Sequence, residues 1–454
     1  MKTILRLVTL SIFFIFSASA YSQCENLTIT LSTQAQIDAF SANYPGCSTF
    51  ANININSGSQ QPFITNLDGL SQVTTILHNL LIDNEPYGNN AYSLISIAGL
   101  SNITSIGGDL RIKHIPLVQG NIFENLLSIG GELYVSHNLP SVLHGFHNLN
   151  TIGERLTIQS TTLNGVNAFG QLTHIGVGYE LAQLIITDNP TLSYINGFSL
   201  LEYSGNISFL NTPELENLPN LWGLTDESTT TLSIQTTGIG NLNGLINLTH
   251  LKRLIILQNP SLVDFEGINS LTSITSDMQI RENPQLNDIS DLSSLTSLGS
   301  LQIEYSPGLS SLMGLHNLNP ATFNSVFLRH NPNLAECAIS PFCAKIAMGG
   351  IGSFFVQDNG PSCNNGNEIA AACQMLNVDN QVFESTFMYP NPVGNILYIF
   401  SEEQVLEWMI SNTAGQILSI GNQRIIDVSS LSPGLYFVNI KTTTGTVVAK
   451  VIKL

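Results

Sequence analysis

A short apolar pattern recurs about every 25 residues between Ala51 and Gly360. Each copy has two apolar residues separated by one other residue, and the clearest copies continue after two more residues into Asn-Pro. The clear copies are Leu184–Ile186, Leu254–Ile256, Met278–Ile280 and Val326–Leu328, and weaker copies place their second apolar residue at Ile55, Ile82, Ile112, Val135, Ile158, Phe209, Ile234, Ile303 and Val356. Thirteen copies at a nearly fixed period predict a solenoid, in which each coil is stabilised by its neighbours.

The residue types within each copy favour short β-strands. Apolar residues two positions apart lie on one face of a strand, and Ile, Val, Thr and Phe, which strands favour, are frequent there. Asn-Pro then ends the strand, because Asn bonds to turn backbone and Pro lacks a ladder donor. We expect inward Asn amides to form a ladder that bonds to adjacent coils, at Asn138, Asn189, Asn259, Asn283, Asn331 and Asn359.

A second apolar series follows each strand, and its residues are spaced by three. One copy is Leu262, Phe265, Ile268, Leu271 and Ile274. Helix formers are few in these stretches, whereas Gly, Ser, Thr and Asn are frequent, so we predict tight turns and short strands. The sequence therefore predicts an all-β solenoid of about 13 coils. Short helices are expected only at its ends, over residues 32–40 with Ser32 as N-cap and over residues 367–375.

The N-terminal residues 1–20 have the features of a signal peptide. Lys2 and Arg6 precede an apolar run from Leu7 to Phe16, and small residues at 18–20 offer a cleavage site. The run is too short to span a bilayer, and no other segment approaches 18 consecutive apolar residues. The net charge is −18 and basic residues are sparse in the repeats, which argues against nucleic acid as a partner.

The cysteines lie only at the two ends of the repeat region. Export permits disulfides, and bridges at the ends would staple the coils that have a neighbour on one side only. Cys24 and Cys47 flank the start, and the end carries Cys337, Cys343, Cys363 and Cys373, which allow three pairings. A zinc site is the competing interpretation, but the spacings lack paired C-x-x-C motifs. We predict disulfides and no metal.

The repeat is lost between residues 374 and 386, where polar residues predict a linker, and a separate unit follows over residues 387–454. Short alternating segments separated by Gly, Pro and Asn predict a small β-sandwich there. Its most distinctive residues are the entry Tyr389, Pro390, Asn391 and Pro392, the corner Gly434 and Tyr436, and the ending Lys450 and Lys453.

Two families are suggested by these residues. The repeat region, residues 24–373, resembles the receptor L-domain, a leucine-rich-repeat relative; the resemblance implies a right-handed β-helix and ligand recognition or adhesion. Residues 387–454 resemble the C-terminal sorting domain of the type IX secretion system. That resemblance implies a Gram-negative bacterium of the Bacteroidota type, the type IX machinery as a partner, and secretion to the extracellular cell surface or release from it.

Motifs for chemistry are scarce. The sequence has no H-E-x-x-H, G-x-S-x-G, Walker or EF-hand motif, and its glycine clusters do not open a βαβ unit. His144 and His147 lie in a predicted turn without a nearby carboxylate, so we interpret them as loop residues. The pairs Glu214/Glu216 and Asp288/Asp291 are interpreted as solvated turns rather than as calcium or acid–base sites. We predict no catalytic residues and no cofactor.

The residues that alternate with the buried pairs should form the outward face of the main sheet. Polysaccharide lyases and hydrolases built on β-helices need apposed carboxylates there, and the residues predicted to point outward include no such pair. Aromatic and Arg side chains are natural binding anchors. The candidate ligand-binding residues are Arg111, Lys113, Tyr134, Ile255, Leu257, Arg281, Glu304, Phe327 and Arg329. A one-residue shift of register would exchange the two faces.

The function predicted from sequence is that of a secreted or surface-displayed, non-catalytic binding or adhesion protein. Its ligand would be an extracellular protein or glycan, and the mature chain would have no transmembrane segment. Two alternatives stay open, an extracellular enzyme acting on polysaccharide and a passive spacer in a surface layer.

Overall fold

The computed structural model describes the chain in ten stretches. They are residues 24–56, 63–85, 93–115, 123–137, 142–176, 182–224, 231–376, 386–401, 403–443 and 445–454. The predicted signal peptide, Asn138 and most of the predicted linker lie outside the described residues. The chain divides into two compact units, residues 1–372 and residues 373–454.

The repeat unit is built from short strands, numbered here in chain order. They are β1 Thr28–Leu31, β2 Thr49–Phe50, β3 Asn52–Asn56, β4 Thr75–Ile76, β5 Leu80–Asp83, β6 Ser105–Ile106, β7 Leu110–Lys113, β8 Ser128–Ile129, β9 Leu133–Ser136, β10 Val142–Gly145, β11 Thr151–Ile152, β12 Arg155–Gln159, β13 Gly165–Ala168, β14 His174–Ile175, β15 Gln183–Thr187, β16 Tyr194–Asn196, β17 Tyr203–Ser204, β18 Asn206–Thr212, β19 Thr231–Thr237, β20 His250–Leu257, β21 Ser273–Arg281, β22 Ser297–Glu304, β23 Ser325–Arg329 and β24 Phe354–Gln357.

These strands form three sheets that run along the stack. The main sheet has fourteen parallel strands, in the order β1, β3, β5, β7, β9, β12, β15, β18, β19, β20, β21, β22, β23, β24. A seven-stranded sheet joins β2, β4, β6, β8, β11, β14 and β17, and a three-stranded sheet joins β10, β13 and β16. Each coil thus contributes one strand to the main sheet, which confirms the predicted all-β solenoid.

All thirteen sequence repeats occupy equivalent positions in the main sheet. The second apolar residues pair in register from Ile55 through Ile158 and Ile256 to Val356, each aligned with its counterpart in the next strand. A fourteenth strand, β1, precedes them and aligns Leu31 with Ile55. The apolar pairs face the core; Leu254 and Ile256, for example, are fully buried.

The second apolar series forms short strands and turns, as predicted, but some of the turns are single 3-10 helices. These lie at Asp68–Leu70, Ala98–Leu100, Ser290–Ser294 and Met313–Leu315, with two more at Cys24–Asn26 and Gly350–Ser353. A 3-10 helix has three residues per turn, so residues spaced by three share its inward face. The threefold spacing therefore has a partly helical basis that the sequence interpretation did not include.

A ladder of asparagines joins successive coils behind the main sheet. The side-chain Nδ2 of Asn189, Asn259, Asn283, Asn331 and Asn359 donates to the carbonyl of the second apolar residue in the preceding coil, at 2.8–3.1 Å. Their Oδ1 atoms accept a backbone N–H from the same preceding coil at 3.0–3.2 Å. The predicted ladder is confirmed at the five positions that the structure describes.

Buried phenylalanine rings form a second ladder inside the stack. Phe123, Phe146, Phe169 and Phe198 are buried and stack on one another with ring centroids 5.3–5.5 Å apart. Glycines mark places where backbones approach closely: a Cβ on Gly130 would overlap the carbonyl oxygen of Gly107 in the preceding coil. This explains the Ile-Gly-Gly pattern, which precedes the strands in this part of the chain.

Helices and disulfides lie at both ends of the stack. Helix α1 (Gln34–Asp38) begins at Thr33, which forms a capping box with Gln36, so Thr33 rather than Ser32 is the N-cap. Helix α2 (Phe40–Asn43) follows, and helices α3 (Ser340–Ala347) and α4 (Gly366–Leu376) lie at the other end. Bridges join Cys24 to Cys47 and Cys337 to Cys363, and Cys343 and Cys373 are also disulfide-bonded. The predicted disulfides are confirmed, whereas α3 was not predicted.

The C-terminal unit is a small antiparallel fold of two sheets around one core. Its strands are β25 Thr386–Tyr389, β26 Ile396–Ser401, β27 Val405–Asn412, β28 Ile417–Gly421, β29 Ile425–Asp427, β30 Gly434–Thr442 and β31 Thr446–Lys453. Sheet β25-β26-β29 faces sheet β28-β27-β30-β31. Leu397 and Ile399 from the first sheet are buried with Trp408, Val438 and Ile440 from the second.

Substituting Asn283 tests the asparagine ladder. In Asn283→Ala, the carbonyl of Ile256 and the N–H of Asn259 lose their partners inside the protein. Because each unsatisfied buried group costs about 1–3 kcal/mol, we expect the free energy of unfolding to fall by about 3 kcal/mol. Urea unfolding followed by circular dichroism measures this change. The matched control is Asn287→Ala, an exposed asparagine of the same coil, and an equal loss in both variants would contradict the assignment.

Candidate functional site

The outward face of the main sheet is the largest surface that the repeat organises. Outward side chains of neighbouring strands stand side by side, because the register of the parallel sheet is kept from coil to coil. In each strand, one residue lies between the two members of the buried apolar pair. These residues form one column, which includes Arg111 on β7 and Phe355 on β24. A second column follows each pair and includes Lys113, Leu257, Arg281 and Arg329. The alternation predicted from sequence is therefore the one observed.

The nine predicted ligand-binding residues separate into two groups along the stack. Arg111, Lys113 and Tyr134 lie on the adjacent strands β7 and β9. The remaining residues lie on four consecutive strands, β20 to β23, and are Ile255, Leu257, Arg281, Glu304, Phe327 and Arg329. Six strand steps separate β7 from β20, or about 29 Å. The two groups are too far apart to contact one small ligand.

In the first group, a salt-bridge network holds the basic side chain in place. Arg111 Nη2 lies 3.1 Å from Asp109 Oδ2 and 3.1 Å from Glu132 Oε2. The cationic groups of Arg111 and Lys113 also lie 5.8 and 5.7 Å from the centroid of the Tyr134 ring. Arg111 is thus neutralised by two carboxylates, and Tyr134 is flanked by two cations.

In the second group, two arginines cover one carboxylate. Glu304 is only 5 % exposed and lies between Arg281, whose Nε is 3.2 Å from Oε2, and Arg329, whose Nη1 is 3.8 Å from Oε1. Sequence alternation predicted that Glu304 would be available to a ligand, and this is corrected: the guanidinium groups of the two adjacent strands cover it. Its carboxylate lies beside both guanidinium groups and offsets one of their two charges.

An exposed aromatic pair adjoins these arginines. The rings of Phe327 and Phe355 stack with their centroids 4.7 Å apart and an interplanar angle of 10°, and Phe355 is 46 % exposed. The Arg329 guanidinium lies 5.5 Å from the centroid of the Phe327 ring. Beside them Tyr305 and His330 stack with centroids 4.6 Å apart. We call Phe327, Phe355, Arg329, Tyr305 and His330 the aromatic patch.

Sequence reasoning missed two outward columns. One lies just before the apolar pairs and contains Asp109, Glu132 and Asp277, so acidic neighbours do occur on this face, contrary to the prediction. The other lies just after the strands, where residues such as Tyr305 and His330 adopt the left-handed conformation, with φ of 52° and 56°. Extending the alternation by one position toward the N-terminus would have found the first column. No sequence signal marked the turn residues as outward partners.

Of the remaining candidates for chemistry, His144 lies on β10 rather than in the predicted turn, and Asp291 lies in the 3-10 helix Ser290–Ser294. Asp288 accepts hydrogen bonds from the backbone N–H and the hydroxyl of Ser290, as a solvated turn residue does. Burial and the nearby charges of Asp264, Asp288 and Glu266 raise the pKa of Asp291. Glu214 and Glu216 are exposed, and His144 lies on β10 with His147 in the turn that follows. Among the described residues, no group of three or more His, Cys, Asp or Glu is arranged to hold a metal ion.

The distinctive residues of the C-terminal unit hold its last strand and one of its corners. Asn391 donates through Nδ2 to the Lys450 carbonyl at 2.8 Å and accepts through Oδ1 from the Ile452 N–H at 2.9 Å. The Tyr436 hydroxyl donates to the Ser432 carbonyl at 2.7 Å. Tyr389 stacks on Tyr398 with centroids 5.4 Å apart, and Pro390 and Pro392 follow cis peptide bonds. Gly434 begins β30, and Lys453 ends β31.

Residues 387–454 match the family of secretion system C-terminal sorting domains. Domains of this family mark proteins that the type IX system of Bacteroidota secretes or attaches to the cell surface. The sorting signal and the location predicted from sequence are thereby confirmed, and the type IX machinery is a partner of this chain. No curated protein matches the sequence. Within the described stretches, no helix is both long and apolar enough to cross a membrane.

The pH dependence of stability tests the outward ion pairs. Burial raises the pKa of Asp277, but hydrogen bonds from Arg253, Ser276 and Gln279 outweigh it, so the pKa is lowered overall. A lowered pKa stabilises the fold above the unfolded pKa, near 3.9, and this stabilisation is lost as the pH falls through the folded value. Asp277→Asn should therefore unfold at lower urea than the wild type at pH 7, and the difference should disappear on acidification. A difference that persists at the lowest pH would contradict this.

Proposed function

We propose that the solenoid is a non-catalytic recognition unit that binds an extracellular partner through the aromatic patch. The observation that carries this proposal is the exposed Phe327–Phe355 stack beside Arg329. Aromatic and Arg side chains dominate binding energy when they are held rigidly and then desolvated by a partner. Here the rings are aligned before binding, because the parallel strands fix their spacing, and the Arg329 guanidinium lies near both the Glu304 carboxylate and the Phe327 ring.

The resemblance to receptor L-domains supports recognition or adhesion as the role of the fold. In such a role the solenoid offers a long, rigid face to a macromolecule, and the sorting domain brings it to the cell surface. The apolar residues Ile255 and Leu257, two strands before Glu304, extend the aromatic patch toward the middle of the stack. The mixture of apolar, aromatic and basic groups suits a protein or a glycan with both apolar and acidic or hydroxyl groups.

A polysaccharide-active enzyme is the second candidate, and Asp109 with Glu132 is the pair of acids that would carry it. Glycoside hydrolysis needs two carboxyl groups that flank the substrate bond. Here Arg111 Nη2 lies between them at 3.1 Å from an oxygen of each, where the reacting bond would have to lie. This geometry favours a structural ion network over catalysis. Turnover of an extracellular polysaccharide that is abolished in Glu132→Gln would establish the enzyme instead.

A triple substitution tests the aromatic patch. The secreted protein is screened on arrays of extracellular glycans and matrix proteins, and each ligand found is measured by calorimetry. Phe327→Ala, Arg329→Ala and Phe355→Ala combined should weaken binding about 30-fold or more, as loss of 2 kcal/mol or more at a binding hot spot implies. The control combines Gln159→Ala, Thr187→Ala and Gln235→Ala on the middle of the same face. Equal affinity of the triple variant and the wild type would refute the site, and no ligand of any kind would favour a passive spacer.

Deleting the C-terminal unit tests the export route. In a host with a type IX system, a chain lacking residues 387–454 should accumulate in the periplasm, because it keeps its N-terminal export signal and loses its sorting domain. Cell fractionation and protease accessibility of intact cells measure the location. As a control, residues 387–454 fused to a periplasmic reporter should carry that reporter to the outside. Normal surface display of the truncated chain would show that another signal directs export.

A further inference from the structure

We propose that a cleft between two consecutive coils binds a neutral carbohydrate. The cleft has a volume of about 430 Å³ and is lined by residues 193–197, Ser199, Asn217, Leu218 and Asn220. It belongs to the three-stranded sheet β10-β13-β16 and to the turn that follows, not to the main sheet that carries the aromatic patch. The proposal is therefore independent of the function proposed above.

The cleft lies where the strand pairing of the three-stranded sheet ends, beyond β16. β16 pairs with β13 on one side, and no backbone hydrogen bond joins its other side to the following coil among the described residues. That coil contains Pro219, which has no N–H to offer, and the N–H of Leu221 donates onward to the Gly244 carbonyl at 2.8 Å. The outer edge of β16 is thereby left open, with backbone donors and acceptors facing the cleft.

Three asparagine side chains of the cleft are uncharged and available. Asn196, Asn217 and Asn220 are exposed, and none of their amides is hydrogen-bonded to another group of the described chain. Several loop asparagines elsewhere in the stack join coils instead: Asn125 donates to the Ser101 carbonyl at 3.0 Å, and Asn247 to the Trp222 carbonyl at 2.7 Å. The amides of the cleft therefore do not serve to join the coils.

Tyr194 and two apolar residues also line the cleft. Tyr194 is 39 % exposed, and its ring lies against Gly165, where any Cβ would overlap it. Ile195 and Leu218, 6 % and 5 % exposed, form the floor. Because Gly165 is the partner of Tyr194 in β13, the Tyr194 ring lies on the side of β16 away from the 217–220 segment.

These features select a neutral carbohydrate. Sugar hydroxyls both donate and accept hydrogen bonds, as the Asn amides, the Ser199 hydroxyl and the open strand edge do. No charged side chain lines the cleft to compensate an anion, and the net charge of −18 disfavours one further. An extended peptide is less suitable, because β16 offers only three residues of edge and the 217–220 segment closes the cleft.

Calorimetry and saturation-transfer NMR with the full secreted protein test this proposal. The probes are neutral oligosaccharides built from glucose, mannose, galactose or N-acetylglucosamine, matched with uronic-acid and sulfated oligosaccharides and with an unrelated extended peptide. We expect at least one neutral oligosaccharide to bind, and none of the anionic ones to bind more tightly. Binding that is restricted to anionic sugars or to the peptide would overturn the proposal, as would the absence of binding to every neutral probe.

Substitutions then locate the binding. Asn217→Ala combined with Asn220→Ala should weaken binding of the neutral probe at least tenfold. The Asn variant changes exposed side chains without partners, so its folding should be unaffected, which circular dichroism verifies. Asn287→Ala is the matched control. The triple variant of the aromatic patch should bind the neutral probe as the wild type does; if it alone loses binding, the sugar belongs to the aromatic patch and the cleft proposal fails.

Discussion

The buried asparagines hold the stack together. Each one bonds to both a carbonyl and an N–H of the preceding coil, so a single side chain satisfies two groups that the turn would otherwise leave buried without partners. A solenoid coil cannot fold alone, and its stability comes from the interfaces with its neighbours. The side-chain amide hydrogen bonds add to the burial of Leu, Ile and Phe by specifying the register, because they form in one register only. At these five coils the asparagine bonds add to the apolar pairs, which align all fourteen strands.

The fixed register determines which side chains are neighbours on the outward face. When strands stack without a shift, residues of equal position lie side by side for the length of the sheet, and like side chains would repel or crowd one another. At several positions the chain places opposite charges in adjacent strands, as in Arg253 with Asp277 and in Glu304 between two arginines. It also places ring beside ring, as in Phe327 with Phe355. Surface ion pairs of this kind contribute little to stability individually, but they hold the side chains that a partner would contact.

The sequence predicted the repeated part of the fold well and the irregular part poorly. Strand positions, alternation and the Asn ladder followed from period and spacing, because the same constraint acts on every coil. β1 was missed because Thr28–Leu31 is followed by a helix rather than by the usual turn. Glu304 was misjudged because alternation shows the direction of a side chain but not what lies over it. The ring pairs involving Tyr305 and His330 depend on a left-handed turn residue, which hydrophobic patterning does not reveal.

In such a fold, binding sites are expected where the repeat is interrupted. Where strand pairing continues from coil to coil, the backbone groups are paired and many Asn amides join the coils. Few hydrogen-bonding groups are then left for a ligand. Where a ladder stops, as beyond β16, the strand edge and the amides of Asn217 and Asn220 become available together. The aromatic patch also lies near an end of the main sheet, where Phe355 is on β24, the last strand of that sheet in the described part of the chain. In a structure built by repetition, interruptions of the repeat are the positions at which a surface can become specific.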